Sequence, residues 1–230
     1  MAYGFYSPIQ FWEFYKKAAQ NNCSFFNEEK TETLINSPKC VEALQTMSDF
    51  VNKYHVMPSE ADLGGSSNSD LFLAGKIAMD VTGIWMFSSF ADAPFEWDIQ
   101  VEPGMATHAT HFFANGVGIS STSEHPEESW EWIKFITSSS EVATLRVEKG
   151  WELPALNDSS YFTEYLEQTP PANRQAVFDS LNFAIVPPVI SRQSEMQDII
   201  GNLLTQVDLG TLSSQDALDQ AKVQIDELLK

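Results

Sequence analysis

Leu71–Trp85 reads LFLAGKIAMDVTGIW. Its punctuation predicts the end of a helix, a tight turn at Gly75-Lys76, a short strand, a second turn at Gly83 and then an aromatic residue, Trp85. Glycine suits the position after the last helical residues because, lacking a Cβ, it takes the left-handed conformation cheaply. Ile77, Met79 and Val81 alternate with Ala78, Asp80 and Thr82, which is the period of a strand with one buried face. Gly83 bends the chain as the strand ends and leaves Trp85 near its C-terminal end. In open α/β sheets, ligands sit at that end of the strands. On pattern alone Trp85 is either ordinary core or a ligand contact.

Before this stretch, Tyr3–Tyr6 reads as a strand or an entry loop, and Pro8 opens a helix to about Asn21. Ile9, Trp12, Tyr15 and Ala19 form its stripe, with Phe11 and Phe14 widening it. Phe25 and Phe26 make a brief strand. Ser37-Pro38 starts the next helix: serine can cap free amides, and proline at the first helical position loses nothing by lacking its N–H. Val41, Leu44, Met47, Val51 and Tyr54 are its predicted buried stripe. Residues 64–69, GGSSNS, read as a loop into the helix that ends at Gly75.

After Trp85 the chain to Ala93 reads as helical or irregular, and Trp97–Val101 as an alternating strand. His108 and His111 read as exposed loop histidines, with no cysteine or acidic partner nearby for a metal. Phe112–Ser120, FFANGVGIS, reads as a strand whose glycines admit another backbone. Ser123–Glu128 opens a long helix, and Ser138 with Glu141 suggests a capping box for the helix that ends at Gly150. Two short helices follow at 159–168 and 171–182, then a strand or crossing segment at Phe183–Val186. The last two helices run from Arg192 to about Val207 and from a Ser213/Asp216 capping box onward, the latter burying Ala217, Leu218, Ala221, Ile225, Leu228 and Leu229.

The net charge of −19, with only 13 Lys and Arg, argues against nucleic acid and against anionic membranes, both of which require cationic surface. The acidity reads either as a solvated surface or as a preference for a cationic ligand such as a polyamine. No apolar run approaches the roughly 20 residues of a membrane span. Cys23 and Cys40 lie in different predicted elements, and spacing alone leaves open whether they pair. The N-terminal MAYGFYSP shows no basic segment followed by an apolar run, so no signal peptide is read there, which taken literally suggests a cytoplasmic protein.

Phe72-x-x-Gly75-Lys76-x-Ala78-Met79-x-x-x-Gly83-x-Trp85 resembles the signature of the family 1 extracellular solute-binding proteins, the maltose-binding-protein-like receptors of ABC sugar importers. Glu124–Ile136 and Gly150-x-x-Leu153-Pro154-Ala155 resemble two later motifs of that family, in the right order. The resemblance implies a helix-rich α/β protein of the periplasmic-binding-protein-like type II fold, truncated so that the N-terminal lobe is largely missing. It implies residues 1–115 as the main part of the C-terminal lobe, 116–186 as a crossing strand and helices that pack with the N-terminal lobe in relatives, and 187–230 as helices returning to the C-terminal lobe. It also implies an extracellular or periplasmic protein, membrane-anchored as a lipoprotein at full length. Its partners would be a carbohydrate and the importer's membrane permease subunits, not nucleic acid. A truncated sheet exposes an edge, which favours self-association.

By the same resemblance, Trp85 stacks on a sugar ring, and Asn115 and Gly116 lie near the ligand. Gln10, Phe11 and Tyr6, at the start of the first helix, and Arg192, after Pro187-Pro188, are further candidates. Each has a structural reading as well: Phe11 as core, Arg192 as a surface charge. A glycosidase needs two carboxyls flanking one bond; Asp80 has no evident acidic partner, and no G-x-S-x-G, Walker, HExxH or Cys-His motif is present. The sequence therefore predicts a carbohydrate-binding receptor without catalytic residues, metal or cofactor. The alternatives are a receptor of the same fold for a polyamine or other small solute and, with less support, a glycosidase.

Overall fold

Gly75 closes its helix as the sequence predicts. It adopts φ +66°, and the Gly75 and Lys76 amides donate to the Phe72 and Leu71 carbonyls at 2.8 Å each. This is a Schellman ending, which satisfies two carbonyls the helix leaves orphaned. Gly150 and Gly210 end their helices in the same way, at φ +62° and +68°.

The computed structural model describes residues 3–230. In chain order the elements are α1 (Phe11–Gln20), α2 (Pro38–Asn52), α3 (Glu60–Leu63), α4 (Asn68–Leu73), a 3₁₀ turn (Ile84–Met86), α5 (Phe87–Phe90), β1 (Thr110–His111), α6 (Pro126–Ser138), α7 (Ser140–Glu148), α8 (Ser159–Glu167), α9 (Gln175–Leu181), β2 (Ala184–Ile185), α10 (Gln193–Asp208) and α11 (Ser214–Leu228). They fall into two units. The first comprises the described residues through Val81, with Glu102–Phe112 and Phe183–Lys230; the second comprises Thr82–Val101 and Phe113–Asn182.

In the first unit α1, α2, α10 and α11 surround one core. Phe14, Leu44, Met47, Met196, Leu218 and Ile225 are all essentially sealed from solvent. Burying side chains of this size contributes roughly 1.5–3 kcal/mol each. Cys23 and Cys40 are disulfide-bonded, tying the end of α1 to the start of α2. β1 and β2 pair in parallel, Thr110 opposite Ala184 and His111 opposite Ile185. Tyr3 and Tyr6 bridge Ile77 and Asp80, also in parallel. Lys16 is buried between Glu13 (2.7 Å) and Glu102 (2.5 Å).

The second unit has a smaller core of Phe87, Val147 and Tyr165. Arg174 is buried beside it: Nε and Nη2 donate to the Gln168 and Pro170 carbonyls at 3.0 and 3.1 Å, and the guanidinium lies over the Phe87 and Tyr165 rings. Among the described residues, no helix is long and apolar enough to cross a membrane.

Several expectations are corrected. Ile77 is buried but Met79 is 60% exposed, so the alternation does not mark one buried face. α1 begins at Phe11, not near Pro8, and buries Phe11, Phe14 and Ala18 while Trp12, Tyr15 and Ala19 lie at its margin. Tyr54 lies beyond α2 and is exposed. Ser37 sits at the N-cap without a side-chain capping bond. The loop at 64–69 is shorter than expected, because α4 starts at Asn68 with a Ser67/Asp70 capping box. Ser139, not Ser138, caps α7, through the Val142 amide. Ser213 accepts from the Asp216 amide, but Asp216 reaches the Ser213 hydroxyl and not its backbone N–H, so the reciprocal half of that box is replaced.

Trp97–Val101 and Phe112–Ser120 form no strands. The first is held by side chains instead: Trp97 Nε1 donates to the Phe90 carbonyl at 2.8 Å and Asn173 Nδ2 to the Ile99 carbonyl at 3.0 Å. In the second, a Cβ at Gly116 or Gly118 would meet nothing within 4 Å, so no close backbone requires glycine there. His111 is not an exposed loop residue. It lies in β1, half-buried against Trp12 and Tyr15, with Nε2 on the Trp12 carbonyl, and burial lowers its pKa.

Candidate functional site

Trp85 stands in the 3₁₀ turn that follows Gly83, with its indole 53% exposed. Gly83 has an ordinary extended backbone, φ −114°. Its lack of a side chain serves another purpose: a Cβ there would overlap the Trp85 ring carbons. The Gly-x-Trp spacing thus folds the indole back over its own turn. Phe113, also exposed, meets Trp85 edge-on at 6.0 Å between centroids. Two residues later Asn115 donates from Nδ2 to Glu152 Oε2 at 2.6 Å, and Glu152 is ion-paired to Arg146. Gly116 follows in open, exposed backbone. Trp151, beside Glu152, is 52% exposed. The second unit therefore presents exposed aromatic surface together with a hydrogen-bonding amide and an ion pair. Stacking on aromatic faces and bonding hydroxyl groups is chemistry this set can perform.

The other candidates lie in the first unit. Tyr6 is 6% exposed, and its hydroxyl donates to Glu60 Oε1 at 3.3 Å; burial, aided by nearby carboxylates, raises its pKa. Phe11 is 5% exposed and packs on Trp12, Tyr15 and Phe25, so its ring is taken up by the core. Gln10 is exposed at the α1 N-cap, with no side-chain capping bond. Arg192 is exposed and forks onto Glu195 three residues along, as a surface ion pair does. Asp80 accepts from Asn68 Nδ2 at 2.9 and 3.0 Å on its two oxygens. Burial pushes its carboxyl up to about 6, against the opposing effect of that amide. Among the described residues, no group of three or more His, Cys, Asp or Glu is placed to hold a metal ion.

Residues 2–171 match the family model described as bacterial extracellular solute-binding protein. The chain belongs to that family. Among solved solute-binding proteins it is similar to the ABC substrate-binding protein Lmo0181 of Listeria monocytogenes, in complex with cycloalternan: 43% identity, TM-score 0.96, covering 99% of this chain and 59% of the other. Maltose-bound MalE3 of T. maritima superposes at TM-score 0.82 with 18% identity, over 99% and 61% of the two chains. The maltose/maltodextrin-binding domain MalE of Bdellovibrio bacteriovorus, bound to maltotriose, gives 0.82 and 18% over 99% and 60%. These last two likenesses establish the fold alone, the periplasmic-binding-protein-like type II fold. The chain spans about three-fifths of the length of these solute-binding proteins.

Among the candidates, sequence reasoning singled out Trp85 and Asn115 but missed Phe113, Glu152 and Arg146. A signal for the last two was present. In a Schellman ending at Gly150, Trp151 bonds back to Arg146, which brings the next residue onto the turn that Arg146 leaves.

Proposed function

We propose that the chain is the carbohydrate-binding part of an ABC importer's substrate-binding protein, taking an oligosaccharide by aromatic stacking and hydrogen bonds. The observation that carries this reading is the 43% identity, at TM-score 0.96, to a substrate-binding protein whose structure holds cycloalternan. The exposed Trp85 supports it. Covering one indole face removes on the order of 100 Å² from water, roughly 2–3 kcal/mol before ordering costs. Trp85, Asn115 and Gly116 are the proposed contacts on the second unit; Gln10 is the accessible candidate on the first, with Tyr6, Phe11 and Arg192 held by their own contacts.

The proposal places the protein outside the cytoplasm, anchored as a lipoprotein and delivering its sugar to membrane permease subunits. It includes self-association, since α6 buries none of its residues and exposes Trp130, Trp132 and Phe135, which a second copy would cover. A concentration-dependent dimer in sedimentation, at salt that screens the −19 charge, is the expected sign.

Calorimetric titration with cycloalternan, maltotriose and spermidine, each at low and high salt, tests the reading. Saturable sugar binding that changes little with salt is expected. Binding of spermidine alone, weakening with salt, would replace it with a cation receptor. Release of shorter sugars during the titration would point to hydrolysis.

A further inference from the structure

Asn115 is exposed, yet its amide is held. Its Nδ2 donates to Glu152 Oε2 at 2.6 Å. A carboxylate only accepts, so chemistry assigns the two ends of the amide: NH₂ toward Glu152, Oδ1 away from it. The other Glu152 oxygen is ion-paired to Arg146 Nη1, with the two side chains 27% and 29% exposed. The backbone builds in that pair. α7 closes with the Trp151 amide donating to the Arg146 carbonyl at 3.2 Å and the Gly150 amide to the Val147 carbonyl at 3.0 Å, which sets residue 152 beside Arg146. The exposed pair Trp85 and Phe113 belongs to the same unit, Phe113 only two residues before Asn115.

We infer that Arg146 and Glu152 are positioning residues that lock Asn115 as a hydrogen-bond acceptor, so that it selects a ligand hydroxyl. The ligand half of this inference rests on the carbohydrate reading above. An unlocked exposed amide offers donor or acceptor alike and must be ordered when ligand binds. A locked one presents Oδ1 in advance, lowering the ordering cost and favouring a ligand that donates a hydroxyl hydrogen. A charge-assisted bond to the half-buried Glu152 is strong enough to bias the exposed amide.

The first test needs no ligand. In ¹⁵N-labelled chain the Asn115 side-chain amide should exchange slowly with water and give shifted resonances. Glu152→Ala should return it to solvent-like values while thermal unfolding stays cooperative, and Arg146→Ala should give the same direction by a second route. Fast, solvent-like exchange in the unsubstituted chain would overturn the lock. The second test is a double-mutant cycle with cycloalternan as the probe. Glu152→Ala should weaken binding roughly tenfold, as expected for one charge-assisted hydrogen bond. In an Asn115→Ala background the same change should have no further effect. Equal losses in both backgrounds would mean that Glu152 acts independently of Asn115, which overturns the positioning role. A locked amide in a chain that binds neither cycloalternan nor maltotriose would overturn the carbohydrate reading and the hydroxyl selection built on it, leaving the lock itself intact.

Discussion

The indole of Trp85 lies so close over Gly83 that a β-carbon at Gly83 would overlap its ring carbons. The glycine of this motif is therefore a seat for the tryptophan. Its backbone, at φ −114°, would suit any residue. Gly83→Ala should push the indole out of its seat, because a side chain can swing where backbone cannot. Stability should change by less than about 0.5 kcal/mol, as at other surface positions. Near-ultraviolet circular dichroism should change, and sugar affinity should fall although Trp85 is still present. Unchanged affinity would detach the ring's position from binding.

Asp80 should make stability depend on pH. Its carboxyl titrates at about 6 in the folded chain and near 3.8 when unfolded. Between those values the folded state holds the extra proton, so stability falls as pH rises through the window. Below the lower value there is no penalty; above the higher one it is complete. A two-unit shift corresponds to about 3 kcal/mol, which residual exposure reduces to about 1–2. Asp80→Asn should therefore stabilise the chain at pH 7.5 and not at pH 3.5, measured by urea unfolding. A difference that does not vary with pH would contradict this.

Lys16 is the cation of a buried cluster. Its side chain is 4% exposed, between Glu13 and Glu102 at 12% and 16%. The two carboxylates hold its pKa up although burial alone would lower it. Lys16→Met would leave both acids without their shared partner, and Lys17, 3.4 Å from Glu102, only partly replaces it. A loss of about 3 kcal/mol is expected at pH 7. A loss below about 1 kcal/mol would show that water reaches the cluster.

Features written in local chemistry were legible in the sequence. Gly75, Gly150 and Gly210 end helices at positive φ, Pro38 opens one, and the stripes of α10 and α11 fall on the core face. These signals depend on residues within a turn or two of one another. Strands depend on partners that lie elsewhere. Trp97–Val101 has the alternation of a strand, but Trp97 and Asn173 side chains take the place of a neighbouring strand. Phe112–Ser120 has the composition of one and stays open. The candidate site divides in the same way. Trp85 was legible because its seat is two residues away. The contact of Asn115 with Glu152 joins positions 37 residues apart, so only the fold reveals it.

The most direct test of the account is a tryptophan-fluorescence titration of the chain and of Trp85→Ala with cycloalternan. A saturable change in the chain is expected, with affinity at least about tenfold weaker in the variant, the equivalent of half or more of the gross stacking contribution. Saturable binding of equal strength in both would remove Trp85 from the site and contradict the account.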